Sequence, residues 1–276
     1  HCLDRAQCGE AAAGRDLKLP MRAGEILEVL KATGSNPVVL KGEDQQKWVI
    51  VCPKLVGRVM CTSDNGAKGL ATGFIDVAQL NKGFGNHGKA DWNNFGGIER
   101  LWFTPEGGKF GFFFLPGEPQ DWDHYLIPPA MWQQPFRLAG TEAGGKSAAF
   151  SAVVEMTNYQ GHKFKLAVRR QITILEDCPF AVGLGSRIRC VGFESKNWVK
   201  NSGEQRLSRD ATPLGIWTLG QYDSGPRTVV MLPYRKGSEA ELGPPVTTEY
   251  FRYFLLRGSM PASQWGTREG CVMVKA

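Results

Sequence analysis

Residues 147–175 have the sequence SAAFSAVVEMTNYQGHKFKLAVRRQITIL, and this stretch decides the fold. In each half, apolar and polar residues alternate with a period of two, which is the repeat of a β-strand with one buried face. The apolar positions are Ala148, Phe150, Ala152, Val154 and Met156, then Phe164, Leu166, Val168, Ile172 and Ile174. The five residues 158–162 between the halves suit a hairpin loop. The stretch therefore predicts two long antiparallel strands, which are typical of broad sheets packed face to face.

Shorter strand-like runs extend on both sides of this hairpin. We predict strands at 38–41, 48–52, 58–62, 98–104, 109–115, 135–139, 188–199, 214–219, 228–232, 251–256 and 271–274. Helical patterns are confined to 22–32, where Gly34 is placed to end the helix, and 75–81. Strands and helices do not alternate, which argues against a parallel α/β fold. The sequence predicts one all-β domain over residues 21–276, preceded by a polar tail over residues 1–20.

The composition is that of an ordinary globular protein. Of 276 residues, 42% are hydrophobic and 22% are charged, which excludes a disordered chain. The net charge of +6 comes from scattered basic residues. Nucleic-acid-binding proteins concentrate such residues on one face, so we expect no nucleic-acid partner. The longest apolar run, 110–115, is far shorter than the roughly 18 residues of a membrane span, so we expect no transmembrane segment.

Seven cysteines are present, and no pair has the C-x-x-C spacing of zinc and redox sites. We therefore expect neither a metal nor a cofactor. Cys52, Cys61, Cys190 and Cys271 fall in apolar strand-like runs, where a thiol behaves as a small hydrophobic residue. The odd number argues against a complete disulfide framework and leaves one or two bridges open.

A glycine motif at 83–88, GFGNHG, fits the pattern G-x-G-x-x-G. The residues after it are rich in Gly and Asn and do not predict the helix that a dinucleotide-binding loop requires. We interpret the motif as a loop.

The first group of candidate functional residues surrounds the predicted strand at 98–104. Alternation along this strand places Glu99 on one face and both Arg100 and Trp102 on the other. An arginine beside a tryptophan on a solvated face suits a sugar, because the ring packs on the indole while the guanidinium donates to hydroxyls. The alternative is surface packing, in which Arg100 stacks on Trp102 and Glu99 or Glu106 is its ion-pair partner.

A second group lies at 121–124, where Asp121 and Asp123 precede His124. The other three histidines are terminal or lie in predicted loops, so His124 is the best candidate for proton transfer near neutral pH. The alternative is a loop histidine hydrogen-bonded to Asp121. Asp121, Asp123 and His124 are also metal-ligating residue types, but one short cluster without a further ligand elsewhere in the sequence is weak evidence for a metal site.

A third group lies at 191–201, where Glu194 interrupts an apolar strand. A carboxylate in such a strand must be paired or solvated. Glu194 is therefore expected either to meet an arginine such as Arg100 or to face a pocket. Asn197 and Asn201 add amide groups that suit hydroxyls.

Five motifs carry a resemblance to a known family. They are GGIERLWFTPEGGKFGFFF at 96–114, DWDHYLIPPAMWQQPF at 121–136, VGFESKNWVKNSGE at 191–204, PLGIWTLGQY at 213–222 and ELGP at 241–244. With these motifs in this order, residues 38–258 resemble an uncharacterised bacterial domain of unknown function that is often found on exported or lipid-anchored proteins. The resemblance implies a periplasmic or lipid-anchored location. It also implies further strands beyond Ala276, and so a chain that is incomplete at this end.

The same resemblance implies a galactose mutarotase-like supersandwich, a large antiparallel fold of two sheets. Relatives of that fold bind carbohydrate on the concave face of the larger sheet, and mutarotases among them open a hemiacetal ring with a histidine and a carboxylate. A base takes the proton of the anomeric hydroxyl, and an acid protonates the ring oxygen. By residue chemistry and elimination, we assign Glu194 as the base and His124 as the acid. The residues assigned to hold the substrate are Arg100, Trp102, Glu106 and Asn197.

The resulting hypothesis is a carbohydrate-binding protein that acts as a mutarotase-like or isomerase-like enzyme. The alternative is a non-catalytic carbohydrate-recognition protein or a structural surface protein. Pattern alone does not decide between them, because a fold does not by itself confer a function.

Overall fold

The computed structural model of the chain describes residues 21–82, 95–178, 188–223, 228–244, 265–268 and 271–275. These residues fall into two compact units, one within 21–222 and one within 223–275. Their secondary structure consists mainly of strands in antiparallel sheets, with few short helices, so the all-β prediction is confirmed. The predicted tail, the glycine motif at 83–88 and the predicted strand at 251–256 lie outside the described residues. The single domain over 21–276 stays a prediction.

The first unit begins with helix α1 (Ala23–Ala32), β1 (Val38–Lys41), β2 (Trp48–Cys52) and β3 (Arg58–Ser63). Helix α1 buries Ala23, Ile26 and Leu30. It ends as predicted before Gly34, whose φ of 68° is the left-handed conformation that often follows a helix. Strands β1, β2 and β3 form an antiparallel sheet in that order. After the short helix α2 (Val77–Lys82) comes β4 (Arg100–Thr104), and a bridge between Val59 and Glu99 joins its start to β3.

The second sheet of this unit contains β5 (Arg137–Thr141), β6 (Ser147–Thr157), β7 (Lys163–Leu175) and β8 (Gly192–Asn201), in that order. Strands β6 and β7 are the two long strands that the sequence predicts, with Ser147 opposite Thr173 and Thr157 opposite Lys163. Strand β9 (Gly215–Leu219) then returns to pair with β4. The other strands predicted within the described ranges are present with ends displaced by a few residues, apart from the one at 109–115.

The facing sides of the two sheets form the core of the first unit. On β7 the buried side chains are those of every second residue, and the side chains between them are partly or fully exposed. Gly57, next to β3, lies against Phe150 of β6 and Arg170 of β7. Burial of each large apolar side chain, such as Phe150 and Phe164, stabilises the fold by about 2 kcal/mol. One face of the hairpin is thus buried and the other faces solvent, as predicted.

The prediction of a strand at 109–115 is wrong. These residues form turns, in which the Phe112 N–H donates to the Pro105 carbonyl at 3.0 Å and the Phe113 N–H donates to the Glu106 carbonyl at 3.1 Å. Gly111 permits this turn, because a Cβ there would lie 2.4 Å from the carbonyl oxygen of Glu106. Phe112 and Phe113 are buried nevertheless. The apolar run therefore reflects packing against the core rather than an extended backbone.

A disulfide joins Cys178 and Cys190 across the connection between β7 and β8. The interpretation of Cys190 as a small hydrophobic thiol is therefore wrong. Strand β8 begins only at Gly192, so Cys190 lies in the connection, with its Cα 6.3 Å from that of Cys178. Cys52 and Cys61 are buried free thiols, as predicted.

The second unit contains β10 (Val229–Pro233), the short helix α3 (Glu239–Leu242), β11 (Trp265–Arg268) and β12 (Cys271–Lys275). Strand β12 lies between β10 and β11 and pairs with both in antiparallel fashion. Across the ranges that the structure describes, every helix is too short or too polar to span a lipid bilayer.

Candidate functional site

Strand β4 separates two groups of polar side chains, because its residues alternate between its two faces. Glu99, just before the strand, faces the four-stranded sheet, where its carboxylate pairs with Arg170 of β7. Arg100 and Trp102 lie on the other face, and Trp217 of β9 pairs directly opposite Trp102.

Arg100 and Trp102 form a stacked pair. The guanidinium carbon of Arg100 lies 4.4 Å from the centroid of the Trp102 ring. The sequence places this pair on a solvated face, but Arg100 is only 8% exposed and Trp102 only 4%. The segment after β4 covers them, since the Phe113 ring lies 5.3 Å from the Trp102 ring. A desolvated stack of this kind stabilises by up to about 2 kcal/mol.

Glu106 lies beside Arg100 in the turn that follows β4. Glu106 is 7% exposed, and burial raises the pKa of its carboxyl group to about 7 although the charge of Arg100 opposes the shift. Burial also lowers the pKa of Arg100 to about 10, against the effects of Tyr125 and Glu106. A carboxyl group that titrates near neutral pH suits general acid–base chemistry.

Tyr125 completes this group. Its ring lies 5.4 Å from that of Phe113, and burial together with the charge of Glu106 raises the pKa of its hydroxyl. The hydroxyl therefore stays protonated and can donate a hydrogen bond. Tyr125 and Trp217 are partly exposed, so they are the members that reach solvent. We call Arg100, Trp102, Glu106, Tyr125 and Trp217 the β4 cluster.

The indole N–H of Trp102 is buried and has no hydrogen-bond partner among the residues that the structure describes. An unpaired buried donor destabilises a protein by about 1–3 kcal/mol, and such a group in a native structure requires a physical explanation. The edge of Trp217 lies against Trp102, with ring centroids 5.9 Å apart. The β4 cluster thus combines two indoles, a cation, a titratable carboxyl group and a hydroxyl, and one indole N–H has no partner in the described part of the chain. This combination suits a polar ring as ligand.

Arg58, at the start of β3, is a second buried cation near the β4 cluster, and it is absent from the sequence-based predictions. Its guanidinium donates to the Gly96 carbonyl at 2.7 Å and lies 4.7 Å from the Phe95 ring centroid. Burial and the charge of Arg100 lower the pKa of Arg58 well below its usual value. The sequence signal that could have identified Arg58 is its position as a charged residue inside the apolar run 55–61.

Asn197 belongs to a different polar group, which lies between the two sheets. Strand β8 places Asn197 opposite Arg170, and its amide donates to the Ser195 hydroxyl at 3.0 Å. Ser195 donates to Glu99 at 3.1 Å, and Glu99 also accepts from Arg170. Arg170 is fully buried. The period of two along β7 places it on the apolar face, and this signal could have identified it from the sequence.

The structure gives the two residues assigned to acid–base chemistry other partners. Nδ1 of His124 lies 2.5 Å from Asp121, and Nε2 lies 3.6 Å from Glu118. These contacts match the alternative interpretation of His124, a loop histidine that is hydrogen-bonded to Asp121. Glu194 faces solvent on β8 and pairs with Lys196 at 2.9 Å rather than with an arginine such as Arg100, because alternation puts it on the face opposite to Asn197.

Of the predicted site residues, the structure therefore brings together Arg100, Trp102 and Glu106. It places Asn197 between the sheets and Glu194 on the exposed sheet face. Tyr125 and Trp217 were missed because contacts between segments distant in the sequence place them beside Arg100 and Trp102. Within the described ranges, no group of three or more His, Cys, Asp or Glu could hold a metal ion.

Comparison with known proteins places most of the chain in one family. Residues 23–276 match the model described as Family of unknown function (DUF6786). No curated protein and no solved structure matches the chain. The predicted membership of an uncharacterised domain family is thereby confirmed: the chain belongs to the family of unknown function DUF6786.

Proposed function

We propose that the protein binds a carbohydrate at the β4 cluster. The observation that carries this proposal is the buried indole N–H of Trp102, which has no hydrogen-bond partner among the described residues and lies beside Arg100 and Glu106. A sugar whose ring packs on the partly exposed Trp217 and displaces its edge from Trp102 would bring a hydroxyl that accepts from this donor. The partly exposed Tyr125 and Trp217 mark the side from which a ligand would enter.

The pKa of Glu106, which burial raises to about 7, favours a catalytic role of the mutarotase type. In the proposed reaction the Glu106 carboxylate accepts the proton of the anomeric hydroxyl, and the bond between the anomeric carbon and the ring oxygen breaks. The ring oxygen keeps the electron pair and takes a proton from an acid, for which His124 stays the predicted residue. Reclosure on the other face gives the other anomer. Glu106 replaces Glu194 as base in this proposal, because Glu106 is buried beside Arg100 and Glu194 is solvated.

Two further observations support this proposal. The sequence motifs resemble a family with a galactose mutarotase-like supersandwich, and the described residues form an all-β structure that is compatible with it. The Cys178–Cys190 disulfide is typical of proteins in oxidising compartments, which supports a periplasmic or otherwise extracytoplasmic location.

The proposal is tested with a panel of aldoses, by measuring binding calorimetrically and anomer exchange by NMR. We expect one class of sugar to bind, Trp102→Ala to weaken binding about tenfold, and Glu106→Gln to abolish exchange while the sugar still binds. Glu194→Gln is the matched control, because it removes the same charge from the solvated sheet face, and it should leave exchange unchanged. Loss of exchange in Glu194→Gln but not in Glu106→Gln would restore the sequence-based assignment.

A second candidate function is carbohydrate recognition without catalysis. It is favoured by His124, whose two ring nitrogens already face Asp121 and Glu118. In that case the same sugars bind and Trp102→Ala weakens binding, but the wild-type protein leaves the rate of anomer exchange at its value in water.

A further inference from the structure

A groove of about 760 Å³ crosses the exposed face of the four-stranded sheet. We call it the outer groove. The residues that line it include Arg137, Ser151, Val153, Arg169, Trp198 and Lys200. Arg137, Ser151, Arg169 and Trp198 are consecutive neighbours in one row across β5, β6, β7 and β8. The volume lies within the range of sites for small ligands.

Three cations line the outer groove: Arg137, Arg169 and Lys200. None of them has an ion-pair partner among the described residues. The carboxylates on the same sheet face pair elsewhere, Glu155 with Lys165 at 3.4 Å and Glu194 with Lys196 at 2.9 Å. Positive charge is therefore uncompensated inside the groove, which favours an anionic ligand.

The outer groove also contains exposed apolar surface. Trp198 is 46% exposed and Val153 is 51% exposed, and the guanidinium carbon of Arg169 lies 5.2 Å from the centroid of the Trp198 ring. An exposed indole supplies a flat apolar surface on which a sugar ring can pack. The arginine at its edge supplies a planar fork that matches a carboxylate or a sulfate.

We propose that the outer groove binds an acidic oligosaccharide. Its carboxylate or sulfate groups pair with Arg137, Arg169 and Lys200, and one of its sugar rings packs on Trp198. This site is separate from the β4 cluster. The inference does not rest on the proposed function, because it uses different residues on a different surface and a ligand that is recognised by its negative charges.

The surroundings of the groove favour a short acidic glycan over a nucleic acid. Proteins bind single-stranded nucleic acids along extended cationic grooves with several aromatic platforms. The outer groove offers Trp198 alone as an aromatic residue among the described residues that line it, and the ion-paired Glu155 and Glu194 lie on the same face.

The test measures binding of tetragalacturonate, which carries only carboxylates, and of a sulfated cello-oligosaccharide, which carries only sulfates. Maltotetraose serves as the neutral probe and oligothymidylate as the nucleic-acid probe. We expect at least one acidic glycan to bind with an affinity that falls as salt is added, and maltotetraose not to bind at this groove. Arg169→Gln and Arg137→Gln should each weaken binding of the acidic glycan about tenfold or more.

Lys163→Gln is the matched control, because Lys163 is exposed on the same face of β7 but does not line the groove. It removes the same charge and should change the affinity less than about twofold. Thermal melting of each variant verifies that the fold is retained. The proposal is overturned if neither acidic glycan binds, if Lys163→Gln weakens binding as much as Arg169→Gln, or if oligothymidylate binds more tightly than the glycans.

Discussion

Glu106 is a carboxyl group whose pKa the folded structure raises to about 7, a value that suits proton transfer. Burial in the turn after β4 disfavours its charged form, while the neighbouring charge of Arg100 favours it. The balance leaves a carboxyl group that is partly protonated near neutral pH. Such a group can both accept and donate a proton under physiological conditions.

Replacement of Glu106 by Gln should change how stability depends on pH. The pKa of Glu106 rises from 4.5 to about 7 on folding, so the folded state holds the proton more tightly. The stability that Glu106 gains from this tighter proton binding is fully present below pH 4.5 and is lost as pH rises through about 7. The loss amounts to at most roughly 3 kcal/mol. Denaturant unfolding at about pH 5 and about pH 8 should therefore show a steeper fall in the wild type than in Glu106→Gln, and equal falls would contradict the assignment.

The Arg170–Glu99 pair is the second residue-scale feature, and it tests the packing of the two sheets. Glu99→Gln leaves the fully buried Arg170 without a counter-charge, so we expect the free energy of unfolding to fall by about 3–5 kcal/mol. The double replacement Arg170→Met with Glu99→Leu removes both charges and should recover most of that loss. Denaturant unfolding of the variants measures this. A double variant as unstable as Glu99→Gln would show that the ion pair does not act as a unit.

At the scale of elements, the turn over 105–113 positions the β4 cluster. It brings Glu106 beside Arg100 and packs Phe113 against Trp102. The β6–β7 hairpin holds the turn in place, since the Tyr159 N–H in its loop donates to the Gly111 carbonyl at 2.7 Å. The hairpin that dominates the sequence pattern therefore also supports the candidate site.

Gly111→Ala should disturb this turn. A Cβ at this position would lie 2.4 Å from the Glu106 carbonyl oxygen and 2.6 Å from the Gly107 Cα, which are backbone atoms that cannot rotate away. We expect a loss of about 1–3 kcal/mol in the free energy of unfolding. Gly140→Ala is the control, because a Cβ at that position would lie more than 4 Å from every described residue other than its chain neighbours. Equal effects of the two replacements in thermal and denaturant unfolding would refute the close packing at Gly111.

The connection between β7 and β8 supports a separate element-scale prediction. The disulfide closes a loop between Cys178 and Cys190, a sequence separation of 12 residues. Replacement of both cysteines by Ser should lower the free energy of unfolding by about 2–4 kcal/mol, since the unfolded chain gains freedom. The control is Cys52→Ala, at a buried free thiol. An unchanged stability of the double Ser variant, measured under oxidising conditions, would contradict a structural role for this bridge.

Sequence periodicity predicted β7 well because its side chains alternate between a buried and a more exposed face. It also predicted that Glu99 and Arg100 lie on opposite sides of β4. It failed at 109–115, because an apolar run records burial and not backbone shape. It did not identify Tyr125 or Trp217, since what places them beside Arg100 is contact between segments that are distant in the sequence. His124 and Glu194 were chosen by residue type, and type alone does not show which partners a side chain meets.

At the scale of the whole molecule, the first unit assembles the β4 cluster from three separate parts of the chain. Strand β4 supplies Arg100 and Trp102, the following segment supplies Glu106 and Tyr125, and β9 supplies Trp217. The two faces of the four-stranded sheet have different roles. The inner face packs on the first sheet through Arg170, and the outer face carries the cations of the outer groove, which have no ion-pair partner among the described residues.

The most direct test of carbohydrate binding at the β4 cluster is the NMR signal of the Trp102 indole N–H during a sugar titration. The chain has 8 tryptophans, and the Trp102 signal is identified by its loss in Trp102→Phe. Because this buried donor has no partner among the described residues, we predict that a bound sugar shifts its proton resonance downfield as a hydrogen bond forms, while the Trp198 signal stays in place. A sugar that binds and leaves the Trp102 signal unchanged would contradict the proposed site.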